Sequence, residues 1–358
     1  MRILAIDIGA GTQDLLLFDP ERELENCPAL VLPSPTVIVA ERIRQATARR
    51  EPVVLTGVTM GGGPSAWAAR DHARAGLPIA ATPAAAQTFD DDLEVVRALG
   101  VTVVSEDEAA RLPGVHLRLS DIDREAILST LARFGLEPPA GWAVAVFDHG
   151  AAPPGFSDRR FRFDYLASRA PGGLTAFGFW AAEVPPALTR LRAVSAELSG
   201  LGPVLVMDTG PAAVLGALDD PQVRARLPGL VVNIGNFHTI AFLLDDGGIA
   251  GLFEHHTGEL RAEDLERFLH RLAAGVLTNE EIFASQGHGA IVYRAVAGAL
   301  PPVALTGPRR ALLRGSSLRP YVAAPHGAMM LTGCFGLLRA WAAKDPVQRL
   351  AIEQRLAA

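Results

Sequence analysis

The sequence predicts an α/β protein built from two similar halves, for three reasons. At about 150 residues per domain, 358 residues suggest two domains. Each half begins with a three-stranded meander whose first turn contains glycine, and each continues with alternating helices and strands. Hydrophobic residues make up 49% of the chain, so a large core can be buried. We place one domain with insertions at residues 1–208 and a second at 209–358, with the option that the last helix returns to the first.

Apolar alternation and helical spacing define the elements of the first half. The predicted strands lie at residues 2–9, 13–19, 30–32, 53–55, 101–104, 142–147 and 203–207. The predicted helices lie at residues 36–49, 66–74, 121–134 and 186–199. Residues 150–177 are rich in proline, glycine and arginine, which indicates a long surface excursion.

The second half repeats this organisation. A helix at residues 208–218 starts at a capping aspartate, Asp208. The other predicted elements are strands at 229–235, 238–244, 248–253, 303–307 and 321–324, and helices at 262–274, 278–284 and 327–342. Because no short-period repeat is visible, the duplication is one of whole domains.

The charge composition excludes several classes of function. Lys344 is the only lysine among 33 lysines and arginines. A phosphate loop of the Gly-Lys-Ser/Thr type is excluded because it needs its lysine. A Schiff-base enzyme is disfavoured because this lysine lies in a polar C-terminal stretch. The net charge of −6 argues against a nucleic-acid partner.

The number of cysteines and the length of the apolar runs predict the cellular compartment of the protein. Cys27 and Cys334 are the only cysteines, so a four-thiolate zinc or iron–sulfur site is excluded. Two cysteines far apart in the chain favour a reducing cytoplasm over a disulfide framework. The apolar runs are too short to cross a membrane, and we expect no signal peptide, since the first residues already read as a strand.

The first glycine turn is a candidate phosphate site. It comprises the candidate ligand-binding residues Gly9, Ala10, Gly11, Thr12 and Gln13. Glycines let backbone N–H groups approach an anion, and successive N–H groups form a nest for phosphate. Asp7, at the end of the preceding strand, could hold hydrated Mg²⁺, and Asp14 follows the turn. The alternative is a simple hairpin with a structural aspartate.

The second meander carries a turn in the equivalent place. Its candidate ligand-binding residues are Asn233, Gly235, Asn236, His238 and Thr239. If the two halves face each other across a cleft, both turns point at the same ligand. The alternative is again an ordinary hairpin turn.

Two further glycine segments are candidates. Gly307 follows a strand and could pack against a nucleoside or its phosphates. Gly61, Gly62 and Gly63 lie between a buried strand and a helix start, which suits an anion or another ligand. Connections without a ligand are the alternative in both cases.

Several histidines stand beside glycine or at strand ends. They are His149, His255, His256, His288 and His326. If they converge on the cleft, they could bind a metal or transfer protons, although isolated loop histidines are the simpler interpretation. We rank His256 and Glu259 highest, from the position of this segment in the family pattern named next.

These motifs, in this order, resemble the actin-like ATPase superfamily of sugar kinases, actin and heat-shock ATPase chaperones. The matching segments are a first phosphate loop at 7–14, a helix of small residues at 209–218, a second phosphate loop at 233–239, an adenosine loop at 305–308 and a second connecting helix at 327–333. The resemblance implies two ribonuclease-H-like domains with a nucleotide in the cleft between them. Asn233 replaces the usual aspartate and Phe237 replaces a glycine, so the fold carries over better than ATP hydrolysis.

A closer resemblance is to a prokaryotic family labelled "pyruvate formate-lyase activating enzyme-like". Residues 56–65, 81–83 and 89–93 carry it. A radical activating enzyme needs three clustered cysteines for its iron–sulfur cluster, which this sequence lacks.

The leading hypothesis is a cytoplasmic actin-like protein that binds a nucleotide or related phosphate ligand, with ATP and Mg²⁺ as the expected cofactors. Asp7 would position Mg²⁺ through water. One alternative is a small-molecule kinase whose acceptor lies at Gly61–Ser65 and whose base is Asp14 or Asp148. Another is a non-catalytic scaffold, in which Phe237 closes the site and the protein acts through a partner. A homodimer stays open.

Overall fold

Sixteen strands and fourteen α-helices make up the computed structural model, which describes residues 1–296 and 300–357. The strands are β1 (Ile3–Ile8), β2 (Thr12–Phe18), β3 (Ala29–Pro33), β4 (Val53–Gly57), β5 (Ile79–Ala81), β6 (Thr102–Val103), β7 (Val115–Leu119), β8 (Gly141–Val146), β9 (Gly178–Trp180), β10 (Val204–Asp208), β11 (Gly229–Ile234), β12 (His238–Asp245), β13 (Gly248–His256), β14 (Gly289–Val292), β15 (Val303–Thr306) and β16 (Tyr321–Val322).

The helices cover the faces of the sheets. They are α1 (Pro35–Arg49), α2 (Pro64–Arg74), α3 (Pro83–Ala86), α4 (Leu93–Ala98), α5 (Glu106–Ala109), α6 (Arg124–Arg133), α7 (Asp158–Arg169), α8 (Thr189–Glu197), α9 (Thr209–Ala217), α10 (Pro221–Arg224), α11 (Ala262–Ala273), α12 (Asn279–Ala284), α13 (Thr332–Lys344) and α14 (Pro346–Ala357). Within the described ranges, none of them is both long and apolar enough to cross a membrane.

The two six-stranded sheets share a core of five strands in the same order, and the sixth strand adds at opposite edges: β9 beside the parallel strands of the first sheet and β14 beside the meander of the second. Their strand orders are β3-β2-β1-β8-β10-β9 and β14-β13-β12-β11-β15-β16. In each, a three-stranded antiparallel meander comes first along the chain, and the two strands on the far side of its first strand run parallel to that strand. This is the ribonuclease-H-like order, repeated. The predicted fold class, two ribonuclease-H-like domains facing a cleft, is therefore confirmed.

A third, smaller sheet is inserted between β3 and β8. Its four strands are all parallel, in the order β6-β5-β4-β7, and have a hydrophobic core of their own. The glycine run of residues 61–63 connects β4 to α2 in this insertion.

The last two helices pack on the first sheet. Trp341 of α13 is fully buried, and its indole ring packs against Gly141 of β8. Where α13 crosses α9, a methyl group on Gly216 or Gly336 would overlap the backbone of the other helix. Glycine is required at both positions because the two backbones touch.

The structure corrects the interpretation of residues 150–177. They contain α7, and Arg162 in the middle of that helix is completely buried. The surface excursion was therefore a wrong prediction, because arginine was read as a solvent-exposed residue. The predicted helix 327–342 starts instead at Thr332, after two 3₁₀ turns in which His326 has a φ of 51°.

Candidate functional site

Two carboxylates stand opposite each other at the cleft end of the first hairpin. Asp7 on β1 pairs in register with Asp14 on β2. Thr209 Oγ1, at the start of α9, donates to Asp7 Oδ1 at 2.6 Å. Gly333, in the first turn of α13, faces Asp7 so closely that a methyl group there would overlap the carboxylate. Two helix starts therefore converge on this pair.

Both carboxyl groups have raised pKa values. Desolvation raises the pKa of Asp7 to about 6, with a further rise from the charge of Asp208 and an opposing hydrogen bond from Thr209. Desolvation and the charge of Asp7 raise the pKa of Asp14 to about 7. Asp14 is only 8% exposed, and its Oδ1 has no hydrogen-bond partner in the described part of the chain. A cation placed between the two groups would stabilise their charged forms.

The two predicted loops are matching tight turns. In the first, Gly9 N–H donates to Thr12 O at 2.9 Å, and in the second, Gly235 N–H donates to His238 O at 2.9 Å. The tips meet, because a methyl group on Gly11 would lie 2.7 Å from Asn236 Nδ2. The structure thus brings the two candidate phosphate loops into contact, through the backbone of Gly11 and the side chain of Asn236.

Other predicted loop residues have identified protein partners. Gln13 Nε2 donates to Pro33 O at 3.0 Å, and Thr239 Oγ1 lies 2.9 Å from Thr257 Oγ1. The turn at Gly307, where φ is 94°, rests on Asn233, whose Oδ1 would lie 2.6 Å from a methyl group there. The segment predicted to bind adenosine and the second candidate phosphate loop are therefore neighbours. Ala10 is partly exposed at the first tip.

The glycine run has a packing reason at each position. A methyl group would lie 2.6 Å from Arg190 Nη2 at Gly61, 2.8 Å from Thr88 O at Gly62 and 2.7 Å from the Phe237 ring at Gly63. Phe237 also meets Trp67 edge to face, with ring centroids 5.3 Å apart. Packing alone therefore accounts for glycine at these three positions, while their role in ligand binding stays a prediction.

Four histidines form a cluster at the interface of the two domains. Imidazole nitrogens of His149, His238 and His288 all lie within 4.8 Å of one another. His256 pairs with His238 across β12 and β13, and its ring centroid lies 4.6 Å from that of His288. The ring of Phe147 stacks on that of His238, with the ring centroids 3.8 Å apart.

Desolvation favours the neutral form of His149, His238 and His256. It lowers the pKa of His149 to about 3, together with the charges of His288 and Arg162, although one face of His149 is open to solvent. It also lowers the pKa of His238 well below its ordinary value and lowers that of His256. Neutral imidazole is the form that ligates metals.

A buried charge network supports the cluster. Arg162 binds Asp208 of the first domain with two N–H groups and Glu254 of the second with two, at 3.0 and 2.8 Å for the glutamate. Glu254 Oε2 lies 2.8 Å from His288 Nδ1. Because Asp208 precedes Thr209, the network extends from the carboxylate pair to the histidines.

Three predicted residues lie apart from these groups. Both carboxylate oxygens of Asp148 accept backbone N–H groups, from Gly150 and Leu191 at 2.8 Å each, and the residue is buried, so the backbone holds this carboxylate in place. Glu259 is exposed on a 3₁₀ turn. His326 lies 3.9 Å from Asp219. Sequence reasoning missed Arg162 and Glu254, for which no local motif gave a signal.

Comparison with known proteins gives one family and several distant folds. The family model described as "Putative pyruvate format-lyase activating enzyme (DUF1786)" matches residues 60–312. None of the curated proteins matches the chain. Among solved structures, ethanolamine utilization protein EutJ from Carboxydothermus hydrogenoformans is 14% identical over 94% of this chain and 89% of its own, with a TM-score of 0.32.

Two kinases align in a similar way. Inorganic polyphosphate/ATP-glucomannokinase from Arthrobacter sp. strain KM is 14% identical over 94% of this chain and 98% of its own, with a TM-score of 0.34. ROK hexokinase from Thermus thermophilus is 14% identical over 94% and 96%, with a TM-score of 0.29. These scores are too low to carry a functional argument.

Proposed function

The chain belongs to the DUF1786 family, and we propose that it binds a nucleotide or another phosphate-bearing ligand with Mg²⁺ in the cleft between its two ribonuclease-H-like domains. One observation carries the proposal: the paired carboxylates Asp7 and Asp14 lie where the first hairpin meets the starts of α9 and α13.

The carboxylate pair suits a hydrated cation. Mg²⁺ prefers oxygen ligands and usually keeps several waters, binding through one or two carboxylates plus substrate phosphates. Asp14 offers an unpartnered buried oxygen, and the raised pKa values of both groups mark a place where negative charge lacks compensation. Bound Mg²⁺ would supply that compensation and neutralise phosphate oxygens.

Two backbone turns and a surface pocket of the second domain could receive the ligand's other parts. Backbone N–H groups of the turns at Gly9–Thr12 and Gly235–His238 are placed at the two tips. Behind the turn at Gly307 lies a surface cleft of about 550 Å³ whose lining includes Pro308 and Arg310. We assign the phosphates to the turns and the nucleoside to this cleft, because an apolar wall with arginine suits a base.

Calorimetric titration of ATP with Mg²⁺ tests the proposal. We expect the wild type to bind at millimolar ligand or below, and Asp14→Asn to weaken binding about tenfold or more, since removing a charged partner of a cation costs a large fraction of the interaction. Asp246→Asn, in an exposed turn, is the matched control and should bind like the wild type. Absence of binding, or equal binding by the D14N variant, contradicts the proposal.

A scaffold without nucleotide is the second candidate, and Phe237 favours it. Its ring joins the second hairpin to Gly63 and Trp67 of the insertion, which closes that side of the cleft. An ATP titration without heat, combined with capture of a protein partner that Phe237→Ala abolishes, would favour the scaffold. The kinase alternative lacks comparable support, because protein groups already cover Gly61–Gly63.

The activity named in the family description does not suit this chain. Cys27 and Cys334 are both buried and unpaired. A radical activating enzyme would need three cysteines around one cluster, and the sequence contains two. Iron–sulfur chemistry is therefore not part of the proposed function.

A further inference from the structure

We propose that His149, His238 and His288 bind a divalent transition-metal ion between the two domains. The three side chains present one nitrogen each, and these nitrogens lie within 4.8 Å of one another. This inference goes beyond the proposed phosphate site, since it concerns a different set of donors.

The ligands come from separate parts of the chain. His149 follows β8 of the first domain, while His238 opens β12 and His288 precedes β14 of the second. An ion coordinated by all three would therefore join the domains. Tetrahedral zinc with bonds of about 2.0–2.1 Å would draw the nitrogens to about 3.4 Å apart, which side-chain rotation can supply.

Unpartnered nitrogens point to a ligand. Nε2 of His238 and Nε2 of His288 are buried and accept or donate no hydrogen bond in the described ranges of the chain. A buried polar atom without a partner destabilises the folded protein, so a purely structural cluster of this kind is unfavourable. A metal ion coordinates such atoms directly.

The surroundings resemble a supported metal site. Glu254 lies 2.8 Å from His288 Nδ1, which leaves Nε2 as the donor atom, and Arg162 fixes Glu254 from its other side. A carboxylate behind a metal-bound histidine orients the ring and raises its basicity. Phe147 stacks on His238 and restricts that ring as well.

The donor set defines the class of ion and leaves one position open. Imidazole suits zinc, iron, nickel and copper, and three histidines with a free fourth position are typical of catalytic zinc. His149 is exposed, so water or a substrate oxygen can reach the ion from that side. His256 lies beside the cluster, outside the group within 4.8 Å.

The test is a titration of untagged, EDTA-treated full-length protein with Zn²⁺ by calorimetry and with Co²⁺ by visible absorption. We expect one equivalent of either ion to bind and Co²⁺ to give the absorption of a low-coordinate site. His149→Ala should weaken binding at least about tenfold. Because His149 is exposed, this variant should keep the wild-type circular dichroism and melting temperature.

Two controls make the result decisive. His270→Ala removes an exposed histidine from α11 and should leave Zn²⁺ binding unchanged. D14N should also bind Zn²⁺ like the wild type, which separates this site from the phosphate site. The proposal is overturned if the wild type binds no Zn²⁺ or Co²⁺, or if the H149A variant binds them as tightly as the wild type.

Discussion

The two hairpins at the cleft have one backbone and different chemistry. Both turns close with a glycine N–H bonded to the carbonyl three residues later, at 2.9 Å. In the first hairpin Asp7 stands opposite Asp14, while in the second Asn233 stands opposite Ile240. The residue that follows the turn is Thr12 in one and His238 in the other. A duplicated scaffold thus presents carboxylate oxygen on one side and imidazole on the other.

Desolvation acts on both sides in opposite directions. It raises the pKa of the first hairpin's carboxyl groups and lowers that of His238. In each case the neutral form is favoured, because a charge loses hydration near the closed domain interface. The shared backbone therefore determines where the groups meet, while the side chains at each position determine whether carboxylate or imidazole faces the cleft.

Replacing Arg162, which links Asp208 of the first domain to Glu254 of the second, should have the largest effect on the unfolding free energy. Arg162→Met leaves the buried carboxylates of Asp208 and Glu254 without their cation, and we expect a loss of about 3–5 kcal/mol in unfolding free energy. Urea denaturation measures it. Arg160→Met, at an exposed position of the same helix, should cost less than about 1 kcal/mol. Equal effects of the two substitutions would show that the network does not hold the domains.

The turn glycines should differ in their tolerance of alanine. A methyl group on Gly235 would lie 2.7 Å from the backbone oxygen of His238, which cannot move away, so Gly235→Ala should cost about 1–3 kcal/mol. Gly11→Ala meets only the end of the Asn236 side chain, which can rotate, and should cost within about 0.5 kcal/mol. Thermal unfolding compares them. A reversed order would contradict the assignment of a rigid backbone contact to Gly235 and a movable side-chain contact to Gly11.

The carboxylate pair should make stability depend on pH. Asp14 has a pKa of about 7 in the folded protein and an ordinary value of 3.8, so the folded state holds a proton that the unfolded state releases. Stability therefore falls as pH rises from about 4 to about 7. In metal-free buffer, the unfolding free energy of the Asp14→Asn variant should fall less over this pH range than that of the wild type, by on the order of 1–2 kcal/mol. If the unfolding free energies of the variant and the wild type change with pH in the same way, Asp14 does not cause this pH dependence.

Phe237 should give the smallest of these effects. Its edge-to-face contact with Trp67 crosses between the second domain and the insertion. A double-mutant cycle with Phe237→Leu and Trp67→Ala should give a coupling of about 0.5–1.5 kcal/mol, as aromatic pairs do. Additive single effects would mean that the second tip and the insertion are energetically independent.

The core order of the two large sheets could be predicted from the sequence because its signal is local. Two glycine-tipped meanders followed by alternating helices and strands predict two equivalent sheets, and the order of β1, β2 and β3 follows from their short connections. Short edge strands such as β9 and β14 carry too few residues for a pattern. They form because neighbouring strands pair with them.

The site could be predicted only in part. Asp7 was singled out by its position at a strand end, and His288 by its flanking glycines. The histidines that surround His288 could not be predicted, because their positions depend on the fold. The strands next to the three histidines, β8, β12 and β14, belong to different sheets or to distant segments of one sheet. The sequence did not predict the role of Arg162. A buried arginine is recognisable only by the carboxylates around it, and Glu254 lies far from it in sequence.

The packing of α13 on the first sheet has a consequence for synthesis on the ribosome. Strands β1 and β8 are translated early, but the helix that covers one face of them begins only at Thr332. Until that helix emerges, the buried surface around Trp341 and Gly141 stays uncovered. The domain whose strands are made first is therefore the last to acquire a complete core, so the nascent chain depends on shielding of that face for nearly its whole length.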